Sequence, residues 1–197
     1  MCSGLYRNRR GLLGGVGKCG IIILSGAGFS NAETVTAMSI EAREQALQYF
    51  QRAYELQMKG ELDEAIALYR KSIEACPTGE AYTFLGWTYS FQGRYEEAIR
   101  ECNRAIEVDP DFGNPYNDIG AYLIEMGRPG EAIPWLEKAV RSSRYESYFF
   151  PYFNMGRAYE RLGQLDKASE CQKDALALNP RYAAAAMALA QLRERVN

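Results

Sequence analysis

Few residues of this chain have side chains that could do chemistry in a recognisable arrangement. The 197-residue sequence contains no histidine, so it lacks the commonest general base and the commonest ligand of transition metals. Its five cysteines form no CxxC pair, and their odd number favours free thiols over disulfides or a metal site. Two acidic pairs, Asp63-Glu64 and Glu96-Glu97, fall where helices should begin, which is where carboxylates interact well with the helix dipole. The sequence therefore predicts no enzyme activity, no catalytic residue, no cofactor and no metal.

One glycine-rich motif near the N-terminus matches a nucleotide-binding signature. Residues 15–20 read GVGKCG, which fits the pattern GxGxxG. A dinucleotide-binding loop of this pattern follows a strand and opens a helix. Here the glycines precede the strand-like run at residues 21–24, so we do not expect a bound nucleotide.

Residues 1–37 differ in composition from the rest of the chain. They are rich in glycine, hold four basic residues against one acidic residue, and show no helical periodicity. Three interpretations stay open: an export signal with an apolar core at residues 20–29, an extension upstream of a native start at Met38, or a disordered tail. The apolar run is shorter than the roughly 20 residues that a membrane-spanning helix needs. We expect a cytoplasmic protein without a stable membrane span, and keep export by a weak signal as the alternative.

From Ser39 onward, apolar residues recur with helical spacing, and one stretch shows the pattern most clearly. In residues 79–112, numbered from 1, the defining positions are Tyr82 at 4, Leu85 at 7, Gly86 at 8, Tyr89 at 11, Ala98 at 20, Ala105 at 27 and Pro110 at 32. This stretch resembles the tetratricopeptide repeat (TPR), whose signature has an aromatic residue at 4, Leu-Gly at 7–8, Tyr at 11, Ala at 20 and 27, and Pro at 32.

The resemblance implies an all-α fold, a right-handed superhelical solenoid of four helix–turn–helix repeats and a C-terminal capping helix. In register, the repeats cover about residues 46–78, 79–112, 113–148 and 149–182 of a domain at 38–197, and the cap covers 183–196. The turn glycines Gly60, Gly93, Gly127 and Gly163 are 33, 34 and 36 residues apart, which indicates a two-residue insertion around residues 142–147. Four apolar residues of the cap region are expected to cover the last repeat: Tyr182, Ala186, Leu189 and Ala190.

The same helical arithmetic defines a candidate binding surface. Residues advance about 100° each around a helix, so positions 2, 5, 9, 12 and 13 of each first helix lie opposite the packing positions. In TPR proteins this face lines a concave groove. The candidate groove residues are Phe50, Tyr54, Trp87, Phe91, Asn117, Phe150, Phe153, Asn154, Arg157 and Arg161. Large apolar groups on a face that the core does not need favour a binding surface.

The groove residues also favour one kind of ligand. TPR co-chaperones hold a C-terminal carboxylate with a clamp of Lys, Asn and Arg, but positions 5 and 9 of the first repeat are Phe50 and Tyr54 here. Asn154 matches the family's ligand-facing Asn, yet alone it makes no clamp. A hydrophobic or amphipathic peptide fits better, with Arg157 and Arg161 available for an acidic flank. The alternative is an assembly subunit whose groove is covered by its own N-terminal segment or by self-association.

The charge balance argues against a nucleic-acid partner. The formal net charge is −2, and the basic excess is confined to residues 1–37, so the repeat region is mildly acidic. We expect a protein or peptide partner.

Overall fold

The computed structural model describes the backbone of residues 31–196 and the side chains of residues 40–195. Within that range nine helices follow one another along the chain: α1 (Asn31–Lys59), α2 (Leu62–Ala75), α3 (Gly79–Phe91), α4 (Tyr95–Val108), α5 (Gly113–Glu125), α6 (Pro129–Arg141), α7 (Phe149–Arg161), α8 (Leu165–Leu178) and α9 (Ala183–Val196). Apart from an isolated bridge described below, the regular secondary structure of these residues is helical. The all-α prediction is confirmed.

The first eight helices form four pairs, each an A helix followed by a B helix. Each A helix packs closely on its own B helix because the residue at position 8 is small. A Cβ added to Gly86 would lie 2.9 Å from the carbonyl oxygen of Ala98, and one added to Gly120 would lie 2.5 Å from Leu136 Cδ2. Ala53 has the same position in the first pair and is completely buried.

The turn inside each pair is closed by a glycine in the left-handed region. The φ angles are 85° at Gly60, 73° at Gly93, 75° at Gly127 and 74° at Gly163. Glycine adopts this conformation at little cost and is the usual residue just after a helix C-terminus. The four glycines that the sequence places in the turns are therefore confirmed there.

Helix α1 is longer than the repeat requires. It begins at Asn31, so it crosses the boundary between residues 37 and 38 that the sequence predicts for the domain. The interpretations of residues 1–30, including the GxGxxG motif and most of the signal-like segment, lie outside the described residues.

The segment between α6 and α7 folds back on the preceding repeat. The amide of Arg144 donates to the carbonyl of Asp111 at 3.1 Å, and the amide of Gly113 donates to the carbonyl of Arg144 at 3.0 Å. These bonds form the isolated parallel bridge. Tyr145 is 6% exposed, and a Cβ on Gly113 would lie 2.6 Å from its Cβ, so the inserted segment packs tightly against the start of α5.

The side chain of Arg144 ties this segment to the second repeat. Its guanidinium forms ion pairs with Glu80, near the start of α3, and with Asp109, at the end of α4. The same group lies over the ring of Phe112, 4.6 Å from the centroid. One side chain of the third repeat therefore contacts both ends of the second repeat.

The capping helix is present, and two of the four residues predicted to cover the last repeat are confirmed, since Leu189 is buried and Tyr182 packs on the rings of the fourth repeat. The residues of α9 that bury against the stack are Ala185, Leu189 and Leu192. Ala186 and Ala190, which were expected to cover the last repeat, are exposed. The prediction is wrong for these two alanines because the buried face is centred on Ala185, Leu189 and Leu192, and the 100° helical spacing turns Ala186 to its flank and Ala190 away from it.

Candidate functional site

The A helices form the inner side of the stack. Within the described residues, α1 contacts α3, α3 contacts α5 and α5 contacts α7, whereas successive B helices make no comparable contact. The stack has a layer of A helices and a layer of B helices, and the layer whose helices lie closer together is on the concave side. The candidate groove therefore runs across α1, α3, α5 and α7, as the helical spacing predicts.

A row of aromatic rings crosses from α1 to α3 in the first two repeats. Phe84 lies at its centre, with ring centroids 5.1 Å from Phe50, 5.8 Å from Tyr54 and 5.5 Å from Trp87. Trp87 in turn lies 5.2 Å from Phe91. Most of these contacts are edge-to-face, a favoured arrangement for aromatic pairs. The row joins the groove to the core without a break.

The rings of the row differ sharply in exposure. Phe84 is 3% exposed and Trp87 is 5% exposed, whereas Phe91 is 42% exposed. The expectation that the core does not need Trp87 is therefore wrong, because its ring packs between Phe84 and Phe91. Two further apolar side chains on α1, Leu47 and Met58, are 49% and 55% exposed. The most exposed large apolar side chains on the A helices of the first two repeats are Leu47, Met58 and Phe91, beside the half-buried Phe50 and Tyr54.

A polar cluster occupies the middle of the groove, between α5 and α7. The side-chain amide of Asn154 donates to Asn117 Oδ1 at 3.0 Å, and Arg157 donates to Asn154 Oδ1 at 3.1 Å. Asn117 and Asn154 are 2% and 3% exposed, so both predicted groove asparagines lie under Arg157. They bind each other across the repeat boundary and stabilise the contact between the two helices.

Both groove arginines have acidic partners within the chain. Arg157 forms an ion pair with Glu125, and Arg161 lies 3.9 Å from the same carboxylate. Arg161 also donates to the carbonyl of Ile124 near the C-terminus of α5, where a cation suits the helix dipole. The prediction that both arginines are available to a ligand needs correction, since Glu125 partly neutralises them. The Arg161 side chain remains 45% exposed and the Arg157 side chain 22%.

The aromatic residues of the fourth repeat are covered by the chain itself. Tyr182, just before α9, places its ring 5.6 Å from Phe150 and 5.1 Å from Phe153, and 4.9 Å from Phe149. Phe153 is 8% exposed. Burial raises the pKa of Tyr182 well above its ordinary value. This end of the groove is therefore closed, and the six predicted aromatic residues do not form one continuous open surface.

Two residues that organise the groove were not among the predicted groove residues, although Tyr182 was predicted to cover the last repeat. Phe84 has position 6, where its ring turns toward α1 rather than into the open groove. Tyr182 has position 34 of the fourth repeat, and Phe112 has the same position in the second repeat and is 2% exposed. The aromatic residue that recurs at position 34 could therefore have predicted the contact made by Tyr182. No other repeat has an aromatic residue at position 6, so no such recurrence points to Phe84.

No group of three or more Cys, Asp and Glu side chains in the described part of the chain could hold a metal ion. Burial raises the pKa of the Cys171 thiol to about 11, so little reactive thiolate forms near neutral pH.

Comparison with known proteins identifies the repeat. Three family models, each described as tetratricopeptide repeat, match residues 49–78, 79–112 and 111–181. Together they cover most of the chain. The chain belongs to the tetratricopeptide repeat family. Proteins built of these repeats generally mediate protein–protein interactions and act as non-catalytic scaffolds.

Several known proteins are similar over most of the repeats. The TPR repeat-containing protein YpiA of Bacillus subtilis is 24% identical over 130 residues, which are 66% of this chain and 30% of YpiA. The crystal structure of MamA is 25% identical with a TM-score of 0.63, covering 77% of this chain and 82% of MamA. PilF of Pseudomonas aeruginosa has the same fold, with 24% identity and a TM-score of 0.71 over 80% of this chain and 71% of PilF.

This chain spans about a third or less of the length of the first curated relatives that it matches. Among the described residues, no helix combines the length and the apolar character that crossing a membrane requires.

Proposed function

We propose that this chain is a non-catalytic interaction module that binds an apolar or amphipathic peptide segment of a partner protein. The site is the groove surface of the first two repeats. The observation that supports it is the group of three strongly exposed apolar side chains, Leu47, Met58 and Phe91, beside the half-buried rings of Phe50 and Tyr54. Apolar groups clustered on a concave face, backed by a rigid aromatic row, are suited to serve as anchors for a ligand.

The charges of the groove support an apolar ligand over a carboxylate. Asn117 and Asn154 are bonded to each other and buried, and Glu125 already partners Arg157. A free carboxylate would have to displace Glu125 to reach these donors. Arg161, with 45% of its side chain exposed, is the basic group that an acidic flank of the peptide would meet.

A peptide selection with matched variants tests this proposal. Peptides would be selected from a displayed library on the full chain, and their affinity measured by fluorescence anisotropy. Phe91→Ser and Met58→Ser should each weaken binding by about tenfold or more, as truncation of an anchor residue does. Val108→Ser is the control, because Val108 is 39% exposed but lies on a B helix away from the groove.

Two results would count against the groove. Selected peptides could bind equally well to the Phe91 and Met58 variants, or they could lose affinity as strongly with Val108→Ser. Either result would place the binding surface elsewhere on the stack.

A second candidate function is an assembly subunit whose groove is filled by its own N-terminal segment. The observation that favours it is Tyr182, which already closes one end of the groove from within the chain. The apolar run at residues 20–29 would be the corresponding cover at the other end. Binding of a hydrophobic dye to the full chain and to a chain beginning at Asn31 distinguishes the two. Stronger dye binding only in the shorter chain, removed by Phe91→Ser, would favour self-coverage, whereas equal binding would favour an open groove.

A further inference from the structure

Helix α9 has a second apolar face that nothing in the described part of the chain covers. Its inner face is buried against the stack. On the opposite side the first two turns expose four apolar residues: Ala183, Ala186, Met187 and Ala190. Met187 is 64% exposed. A large exposed apolar side chain flanked by small residues on one helix face is suited to contact another protein surface.

The register of α9 indicates what kind of contact this face would accept. The helix takes the place of an A helix of a fifth repeat, and Ala190 has its position 8. In the second repeat that position is Gly86, where the B helix approaches so closely that a Cβ would lie 2.9 Å from a backbone oxygen. Ala190 is therefore a small residue at a position built for close helix contact, but no helix of the described residues packs there.

We propose that this face pairs with α9 of a second copy of the chain, antiparallel across a two-fold axis. Helical spacing of about 100° per residue puts Ala183, Met187, Ala190 and Glu194 on one stripe. When two such stripes meet antiparallel with the axis between residues 188 and 189, Met187 lies opposite Ala190 of the second copy. A large side chain then meets a small one on each side of the axis, as a self-complementary interface requires.

The charges at the ends of the stripe are complementary in this arrangement. Glu194 lies in the last turn of α9, where the dipole of its own helix disfavours a carboxylate. In the antiparallel pair it lies opposite Ala183 of the second copy, at the positive end of that helix and close to Arg181. Arg181 and Glu194 are both exposed. Arg195 does not compete for this position, because it pairs with Glu160 of its own chain.

The size of the interface sets the strength of the dimer. One helix pair buries less than the roughly 1,200 Å² of a standard stable interface, so the dimer should be weak and concentration-dependent. Helix α9 lies at the opposite end of the stack from Leu47 and Phe91. The dimer would thus present two grooves, and a partner with two binding segments would gain avidity from it.

Sedimentation velocity of the full chain, followed up to high micromolar concentration, tests the proposal. The wild-type chain should shift from monomer to dimer as concentration rises. Met187→Glu should remain monomeric with an unchanged melting temperature, since Met187 is mostly exposed. Arg181→Glu or Glu194→Arg alone should lower the association constant by up to about fivefold, as exposed ion pairs allow. The two charge reversals together should restore it, because each copy then carries the swapped pair.

The control variant is Phe91→Ser, which alters the groove and should leave the dimer unchanged. A chain that stays monomeric at every concentration would overturn the proposal. So would a dimer that persists with Met187→Glu, a double reversal that fails to restore association, or a dimer abolished by Phe91→Ser, which would place self-association in the groove. None of these results depends on whether the groove binds a peptide.

Discussion

Trp87 and Phe91 lie one turn apart on α3 with ring centroids 5.2 Å apart, yet one ring is 5% exposed and the other 42%. The pair marks the boundary between the core and the groove. Trp87 supports the surface from below, and Phe91 presents it to solvent. Stability and binding should therefore depend on different members of the pair.

Replacing the two rings should separate these roles. Trp87→Ala removes a buried side chain and leaves a cavity, which should lower the free energy of unfolding by about 3–5 kcal/mol. Phe91→Ala removes a half-exposed ring and should cost about 1 kcal/mol or less while still weakening peptide binding. Chemical denaturation measures both values. Equal destabilisation by the two variants would show that the boundary is misplaced, and a Trp87 variant cannot by itself test the groove.

The sequence predicted the repeats because their signals are local. A glycine is needed wherever the turn takes a positive φ, and a small residue is needed wherever two helices approach closely, so Gly93 and Gly86 could be recognised without a structure. The exposure of the groove could not be predicted in the same way. It depends on how far neighbouring A helices close together, and on partners such as Tyr182 and Glu125 that come from other repeats.

The inserted segment shows the same limit. The glycine spacing revealed two extra residues, but not that Arg144 would reach back to Glu80 and Asp109. The contact joins residues 64 positions apart in the chain, and no periodic pattern reports such a contact. Sequence reasoning thus found the insertion and missed its role.

The seam between A and B helices should be intolerant of added volume. Gly86→Ala places a Cβ 2.9 Å from the backbone oxygen of Ala98, and backbone cannot move aside as a flexible side chain can. We expect a loss of about 1–3 kcal/mol in the free energy of unfolding. Gly130→Ala is the matched control, because no atom lies within 4 Å of its added Cβ. That change should be neutral or stabilising by up to about 1 kcal/mol, since alanine favours helix. Similar losses of unfolding free energy in Gly86→Ala and Gly130→Ala would refute the close contact proposed at Gly86.

Arg144 should contribute more to stability than an exposed arginine with one acidic partner. Arg144→Ala removes two ion pairs and a contact with Phe112, and we expect it to cost about 1 kcal/mol, allowing for the 39% exposure of the side chain. Arg128→Ala is the comparison, because its pair with Glu131 is more exposed and should contribute less to stability than the Arg144 pairs. Urea unfolding at low and high salt measures both. The difference between the stability losses of the two variants should shrink at high salt, because salt screens the ion pairs. A larger loss for Arg128→Ala than for Arg144→Ala would contradict the role given to Arg144.

Gln172 is a position where we expect the natural residue to lower the stability of the fold. Its side chain is completely buried, its Nε2 donates to the carbonyl of Phe153 at 3.3 Å, and its Oε1 has no hydrogen-bond partner in the structure. Leu136 has the same position in the third repeat, where it packs over Gly120 as Gln172 packs over Gly156. Gln172→Leu should therefore fit the site, remove the unsatisfied oxygen and raise the free energy of unfolding by about 1 kcal/mol. Thermal and chemical unfolding of the variant, with Gln172→Ala for comparison, measure the effect. Gln172→Ala should be destabilising because it leaves a cavity. If the Gln172→Leu variant is no more stable than the natural chain, Oε1 of Gln172 must have a hydrogen-bond partner, for example a buried water.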